Sequence, residues 1–534
     1  MSLAFRRNVK ALINAASLPG TSGTEKKIQC LQQLKTTALP ADKNMHHYND
    51  ALLFTCAFPA NRKIYKLAES EFKRITAFLK NRKIKEVFVN SGLPFTPFYS
   101  NFSHDFTQWL QLNQDCNIVF DKFKDASLEL NDVLKLTLPS PEKSETTAAL
   151  SNEELLDTLK VPAKDRLQFL LNELSKLDDQ PFIKDHFYES LGIHIRIRPR
   201  NKNFSISYNR FFPDKTIYYG EPVKSFDYTE LLNRPLPQPK DLNQSLKSRL
   251  ITVVKNSMVL TDRETDTVTY MDETSLRYYQ LEQGIAIAIY GMKAERQLPY
   301  ESYVGYTLFV NGFPVAYGGA WVFSFVANFG INIFEAYRGG GSGYILCQLI
   351  RLYRQVFNIN YFEIEPYQFG LDNPDGIKTG AFWFYYKYGF RPQNKELKWL
   401  SEKEKDKTKM NRRYRTPKKI LLRFTESNME LHLGKKNAVK VADITNSIIK
   451  LISKKYKSNS IQAEKESVNR FEALTSITTS SKDEEQVLKE VSLWADAMDI
   501  NDQRRLQLLS EMVKTKPVDL YAYQQLLQEF FEGN

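Results

Sequence analysis

Between 302 and 334 the chain carries no charged residue, and its apolar run is broken at short intervals by Gly305, Gly312, Pro314, Gly318, Gly319 and Gly330. A window of that length raises a membrane helix, which needs about 20 mostly apolar residues in a row. Val, Tyr, Phe and Trp between turn-formers spell buried strands instead, and Asn311-Gly312 is a hairpin signal. The pattern predicts a hairpin of VGYTLFVN and VAYGGAWVF, then a strand in GINIFEAYR. From 343 to 357 the period lengthens: Ile345, Leu346, Leu349, Leu352, Tyr353 and Val356 form the stripe of an amphipathic helix. YFEIEP (361–366) alternates as a strand, GAFWFYYKYGF predicts a helix capped by Gly389, and KKILLRF (418–424) predicts a final strand.

Elsewhere the patterning is weaker. Residues 1–140 read as a mainly helical domain, with a helix over 64–79 and a short strand in EVFVN (86–90). The polar, proline-marked stretch 140–152 reads as a linker, after which Asn152 is placed to cap a helix carrying Glu153 and Glu154 in its first turn. Residues 151–245 form a middle α/β segment: HIRIR alternates from His194, and FSISY (from Phe204) is set to pair with TIYYG (from Thr216) across a turn at Pro213-Asp214. Proline-rich RPLPQPKDLNQS marks the boundary to a unit spanning 246–425, and 426–534 reads as a helical, partly flexible tail with helices over 485–497 and 521–531. No internal repeat is visible. The class is α/β (α+β), with a mixed, mostly antiparallel sheet, flanking helices and mainly helical ends.

Composition narrows the functions. The 534 residues are too many for one core. Net charge is +12, but the excess is spread widely, which reads first as a solvated lysine-rich surface and second as a nucleic-acid footprint. The strongest basic run, KEKDKTKMNRRYR (403–415), carries the same two readings. Cys30, Cys56, Cys116 and Cys347 show no CxxC spacing, and the six histidines show no HExxH or HxxxH, so no metal is expected and a reducing, cytoplasmic setting is. His46 and His47 are adjacent and point apart on a helix. Cys347 falls on an apolar helix face, and Cys116 has no neighbouring base. The basic N-terminus lacks a signal-length apolar core.

The chemistry concentrates at EAYRGGGSGY. A strand, a glycine turn and a helix in immediate succession aim several main-chain N–H groups and the positive end of a helix at one point, an arrangement that binds phosphate or diphosphate. Two motifs flank a strand here. Arg338, Gly341 and Gly343 fit an Arg/Gln-x-x-Gly-x-Gly/Ala loop, and Ala381, Tyr385, Gly389 and Phe390 fit Ala-x-x-x-Tyr-x-x-x-Gly-Phe. In this the stretch from about 303 to 424 resembles the GNAT superfamily of acyl-CoA-dependent N-acyltransferases. Three further patterns, NSGLPFT at Asn90, RETDTVTY at Arg263 and QFGLDN at Gln368, are similar to those of a large bacterial family carrying this domain.

The resemblance implies acetyl-CoA or another acyl-CoA as cosubstrate and a small-molecule or peptide amine as acceptor. Main-chain amides of Arg338, Gly339, Gly340, Gly341, Ser342, Gly343 and Tyr344 would hold the diphosphate. The pantetheine arm would lie where the strands before Arg338 and at 361–366 splay, and an N–H near 334–336 would polarise the thioester. Glu335, Glu363 and Glu365 are the candidate bases, each reading equally as a structural partner for a basic residue. Tyr385 would protonate the leaving thiolate, or pack within an aromatic helix with Trp383 and Phe384; Tyr386 is its neighbour in the same role. The superfamily's Asn seven positions before that Tyr is Lys378 here, and Asn373 lies too far upstream to replace it. The glycine triplet 339–341 also departs from the usual loop. Two alternatives stay open: a coenzyme-binding scaffold without turnover, and an aminoacyl-tRNA-dependent peptidyl transferase, for which no second glycine loop is found.

Overall fold

Apolar alternation from 277 to 333 builds five successive antiparallel strands whose inward residues are almost wholly shielded from water. They belong to a computed structural model describing every residue except 1, 17–19, 148, 213–214, 220–225, 412, 435–438 and 533–534. A small antiparallel sheet comes first: β1 (Phe98–Ser100), β2 (Cys116–Phe123) and β3 (Ile193–Pro199), in the order β1-β3-β2. The large sheet holds β4 (Arg277–Gln280), β5 (Ile285–Tyr290), β6 (Ser302–Val310), β7 (Phe313–Phe323), β8 (Val326–Ile333), β9 (Tyr361–Ile364), β10 (Arg391–Pro392) and β11 (Met429–His432). Its order is β10-β11-β9-β8-β7-β6-β5-β4, and every neighbouring pair is antiparallel except β8 with β9. Parallel pairing needs a crossover, supplied by the Ser342–Val356 helix. The architecture is a mixed α/β arrangement of sheets flanked by helices, with helical N- and C-terminal regions.

The β6–β7 hairpin turns at Asn311-Gly312 as its sequence predicts, with φ of 48° and 83°. Those positive values suit the primed turns that match strand twist, where Asn and Gly are favoured. Asn311 has a second use. Its Nδ2 donates to Ala57 O (2.9 Å) and Ile217 O (3.0 Å), and its Oδ1 accepts from Ile217 N (2.8 Å). The turn thereby fixes the end of the Asn44–Ala57 helix against the large sheet, and that contact shapes the cleft described below.

Four sequence expectations are overturned. EVFVN is a 3-10 turn at Glu86–Phe88 following the Arg82–Lys85 helix; only Phe88 is buried, Val87 and Val89 face solvent, and the segment enters no sheet ladder. FSISY (204–208) consists of turns. The hydroxyls of Ser205 and Ser207 reach Lys202 O and Asn49 Oδ1, so its period-2 pattern reflects buried local bonding rather than a ladder. Ile217 and Tyr219 run as unladdered chain bonded to Asn311 and Pro59; the expected turn at 213–214 and Gly220 lie outside the described residues. KKILLRF is the helix Lys418–Phe424, whose Leu421 and Phe424 share a face at helical spacing, Phe424 stacking on Phe382 at 4.0 Å. The last strand is MELH, paired with β9 and β10. Ser151, not Asn152, caps the Asn152–Thr158 helix, because only a residue outside the helix can turn its side chain back to the Glu154 N–H; Glu154 completes a capping box.

Beyond 439 five helices, among them Lys482–Ala497 and Leu520–Glu532, enclose a separate apolar cluster around Trp494 that takes in Tyr300 and Phe323 of the sheet unit.

Candidate functional site

β8 ends at Ile333, the chain makes a 3-10 turn over Glu335–Tyr337, and the glycine segment leads into the Ser342–Val356 helix. Gly339 and Gly341 have φ of 87° and 82°, the left-handed region where a side chain is strained. Gly343 is required for a different reason. A Cβ there would sit 1.6 Å from the Tyr388 hydroxyl, so the loop's last glycine lets the helix start pack on the aromatic helix. Amides of Arg338, Gly340 and Tyr344 bond the carbonyls of Glu335, Tyr337 and Gly341. Those of Gly339, Gly341, Ser342 and Gly343 have no acceptor among the described residues, and the helix has no side-chain cap. These four unpaired donors stand at the positive end of a 15-residue helix, where an anion can be accommodated. The Arg338 side chain is exposed, 3.8 Å from equally exposed Asp375, a contact of little energetic weight. Tyr344 points its ring at Phe226 and its hydroxyl at Gln348.

β8 and β9 pair in parallel at Val326–Tyr361, Ala327–Phe362 and Asn328–Glu363, and then separate. Past that point the β9-facing edge of β8 has no strand partner among the described residues. Gln368 reaches into the opening: its Oε1 accepts from Ile331 N (3.3 Å) and from the Tyr385 hydroxyl (3.3 Å). Tyr385 is buried in the Ala381–Lys387 helix, and burial pushes its phenol pKa well up, so it stays protonated. Of the three acidic candidates, Glu363 is shielded and held by Lys440 Nζ (2.6 Å) and the Asn428 side-chain amide. Glu365 lies just past β9 and accepts from Asn328 Nδ2 (2.7 Å). Glu335 sits in the 3-10 turn rather than on a strand, and its carboxylate has neither hydrogen-bond partner nor cation among the described residues. The Phe334 N–H is spent on Val315 O (3.0 Å), which leaves those of Glu335 and Ala336. Asn373 caps the Pro374–Thr379 helix, and Lys378 is exposed.

Sequence reasoning missed the other wall. The 335–337 turn closes one side of a cleft of about 330 Å³ whose opposite side is the Asn44–Ala57 helix. Asp50 projects into it, half-buried; burial first, and then the Glu335 charge, push its carboxyl up to about 7. The segment after the Gln244–Val259 helix adds Asp262 and Arg263, whose Nη1 donates to the Tyr317 hydroxyl (2.6 Å). Asn90, Ser91 and Arg263, from two of the quoted sequence patterns, line this cleft, while Gln368, from the third, stands in the β8–β9 opening. Their convergence was the available signal; nothing in the sequence around Asp50 marks it.

All four cysteines are buried, and burial pushes Cys116 and Cys347 up to about 12, far from thiolate formation at neutral pH. The basic run includes the end of the Lys395–Met410 helix, where Glu404 accepts from Lys407 (2.7 Å) and Tyr414 (2.8 Å). Among the described residues no cluster of His, Cys, Asp and Glu could hold a metal ion, and no helix is long and apolar enough to cross a membrane. No family model, curated protein or solved structure matches this chain.

Proposed function

We propose that the chain is an acyl-CoA-dependent N-acyltransferase built on a GNAT-like sheet, with acetyl as the simplest acyl group and an amine as acceptor. One observation carries this reading: two parallel strands part after Asn328 and Glu363, and the strand that continues leads into a loop with four unpaired amides. A pantetheine arm is a narrow chain with its own amides, so it suits a slot bordered by an unladdered strand edge. Its diphosphate suits the cradle under the Ser342–Val356 helix.

In this reading the amides of Gly339, Gly341, Ser342 and Gly343 hold the diphosphate, and Gln368 yields its bond to Ile331 to the incoming arm. Tyr385, protonated and beside that slot, delivers a proton to the departing sulfur. Glu363 and Glu365 keep their structural partners, leaving Glu335 as the acid of the three that faces open space.

A second reading has its own support. The Tyr385 hydroxyl is engaged by Gln368 rather than free to reach a departing sulfur, which favours a coenzyme-binding scaffold without turnover. Acetyl-CoA separates the possibilities. Saturating ligand should raise the melting temperature by several degrees, since binding at about 100 times Kd contributes about 2.7 kcal/mol. Gly341→Asp, which sets a negative charge in the cradle, should abolish the shift. No shift with the unaltered chain rejects the proposal, while a shift without thiol release across an amine panel selects the scaffold.

A further inference from the structure

The cleft between the Asn44–Ala57 helix and the 335–337 turn differs from the anion cradle in every chemical respect. Its carboxylates are Asp50, Asp262 and Glu335, against one guanidinium, Arg263, already engaged with Tyr317. Asp262 is occupied by the Ser100 hydroxyl, while half-buried Asp50 and Glu335, exposed at the rim, accept no hydrogen bond and meet no cation among the described residues. The floor is polar as well. Asn49 is 0% exposed, yet its Nδ2 has no acceptor while its Oδ1 takes the Ser207 hydroxyl. A buried amide without a partner calls for an explanation, and at the wall of a polar cleft a hydroxylated guest can supply the missing acceptor.

We propose that this cleft is the acceptor site, that it takes a small polar primary amine as its ammonium, and that Asp50 is the base that deprotonates it. This rests on the acyltransferase reading for its chemistry but not for the binding. A volume of about 330 Å³ has room for roughly ten waters, enough to admit an amino sugar or, with water beside it, a short amino alcohol. An ammonium between Asp50 and Glu335 offsets the repulsion between the two carboxylates and the burial of Asp50, and hydroxyls on the carrier match the Asn and Ser lining. Glu335 belongs to the turn that follows β8, so a nitrogen held there lies beside the end of the parted strand.

The step balances without a further reactant. The ammonium gives one proton to Asp50, and the freed lone pair forms the C–N bond with the thioester carbon. The C–S bond breaks with its electron pair on sulfur. The second proton passes from nitrogen to solvent as the tetrahedral adduct collapses, sulfur departs as a thiol with a proton from Tyr385, Tyr385 regains one from solvent, and Asp50 releases its own to solvent before the next turnover. The groups facing Asp50 are Glu335 and Tyr337 from the turn, Asp262 and Arg263 from across the cleft, and His46 on its own helix. A carboxyl pushed up to about 7 by burial and by Glu335 is a stronger base than an ordinary aspartate.

The test uses the full chain with glucosamine, ethanolamine and putrescine, each paired with its hydroxyl counterpart glucose, ethylene glycol or butanediol, by calorimetry without coenzyme. At least one amine should bind tenfold or more tightly than its counterpart, and Asp50→Asn and Glu335→Gln should each remove most of that preference. With acetyl-CoA, thiol release should rise as pH passes through about 7, and Asp50→Asn should flatten that rise and lower turnover at least 100-fold. Equal binding of amines and alcohols across the panel, or an amine preference untouched in both variants, overturns the proposal. Amine binding that depends on Asp50, in a chain that ignores acetyl-CoA, keeps the cleft assignment and removes the transferase reading.

Discussion

Asp50 shows how a single side chain acquires its properties from residues remote in sequence. On an isolated helix its carboxyl would titrate near 4; shielded by the sheet unit and facing Glu335, it is pushed up to about 7. The folded chain therefore keeps a proton that the unfolded chain has released between those values. Stability from this group is complete below about 4 and is lost as pH rises through about 7. Asp50→Asn cannot ionise, so its melting temperature relative to the unaltered chain should climb by several degrees between pH 5 and pH 8. The His46 titration, lowered by burial and by His47, is common to both chains and largely cancels in the difference. A difference that stays constant with pH would show that Asp50 titrates normally.

Strands β8 and β9 are the element-scale case. Their parallel contact is short because Ile364 ends β9 and a 3-10 turn at Pro366–Phe369 follows, carrying Gln368 back across the gap. Gln368→Ala leaves the Ile331 N–H and the Tyr385 hydroxyl without their acceptor, a loss of about 1–3 kcal/mol for buried polar groups. Hydrogen exchange should locate the effect: the Ile331 amide should exchange faster in Gln368→Ala, and acetyl-CoA should restore its protection. Faster exchange that the coenzyme leaves unchanged would mean that no ligand backbone pairs with this edge. The failed strand prediction for KKILLRF belongs to the same scale. Seven residues with apolar pairs fit either period, and packing of Phe424 on Phe382 selects the helix.

For the whole molecule, the terminal regions complete the sheet unit. The Leu520–Glu532 helix bonds strand-end carbonyls: Gln524 Nε2 donates to Val322 O (3.2 Å), Gln528 Nε2 to Ser324 O (2.9 Å) and Phe357 O (2.6 Å), and the Tyr523 hydroxyl to Tyr300 O (2.7 Å). Tyr521 stacks on Phe357 with ring centres 5.4 Å apart. At the other side Arg296 joins Asp185 of the middle segment (2.5 Å) and Asp105 of the N-terminal region (3.3 Å), tying both to the sheet unit. Deleting 439–534 removes these donors, leaves their carbonyl acceptors unpaired and exposes Tyr300 and Phe323, so the shortened chain should melt at least 10 °C lower or aggregate. Unchanged thermal stability would show that the bundle is an independent appendage.

Local physics determined much by itself. Two-residue turn chemistry at Asn311-Gly312, the apolar stripe of the Ser342–Val356 helix, the left-handed cap at Gly389 (φ 96°) and the glycine loop each depend on neighbours in sequence, and each formed as its residues dictate. The IAIAIY strand and MELH show the limit: β5 is buried throughout and β11 is only four residues long, so neither displays the alternation by which half-buried strands are recognised. Tertiary structure alone decided that Glu363 is tied to Lys440, 77 residues away. It also set Gln368 between β8 and Tyr385, and brought Asp50 from an N-terminal helix to face Glu335. Charge and hydrogen bonding act through space, so which carboxylate is neutralised and which is left facing a cleft depends on chain packing that no local pattern encodes.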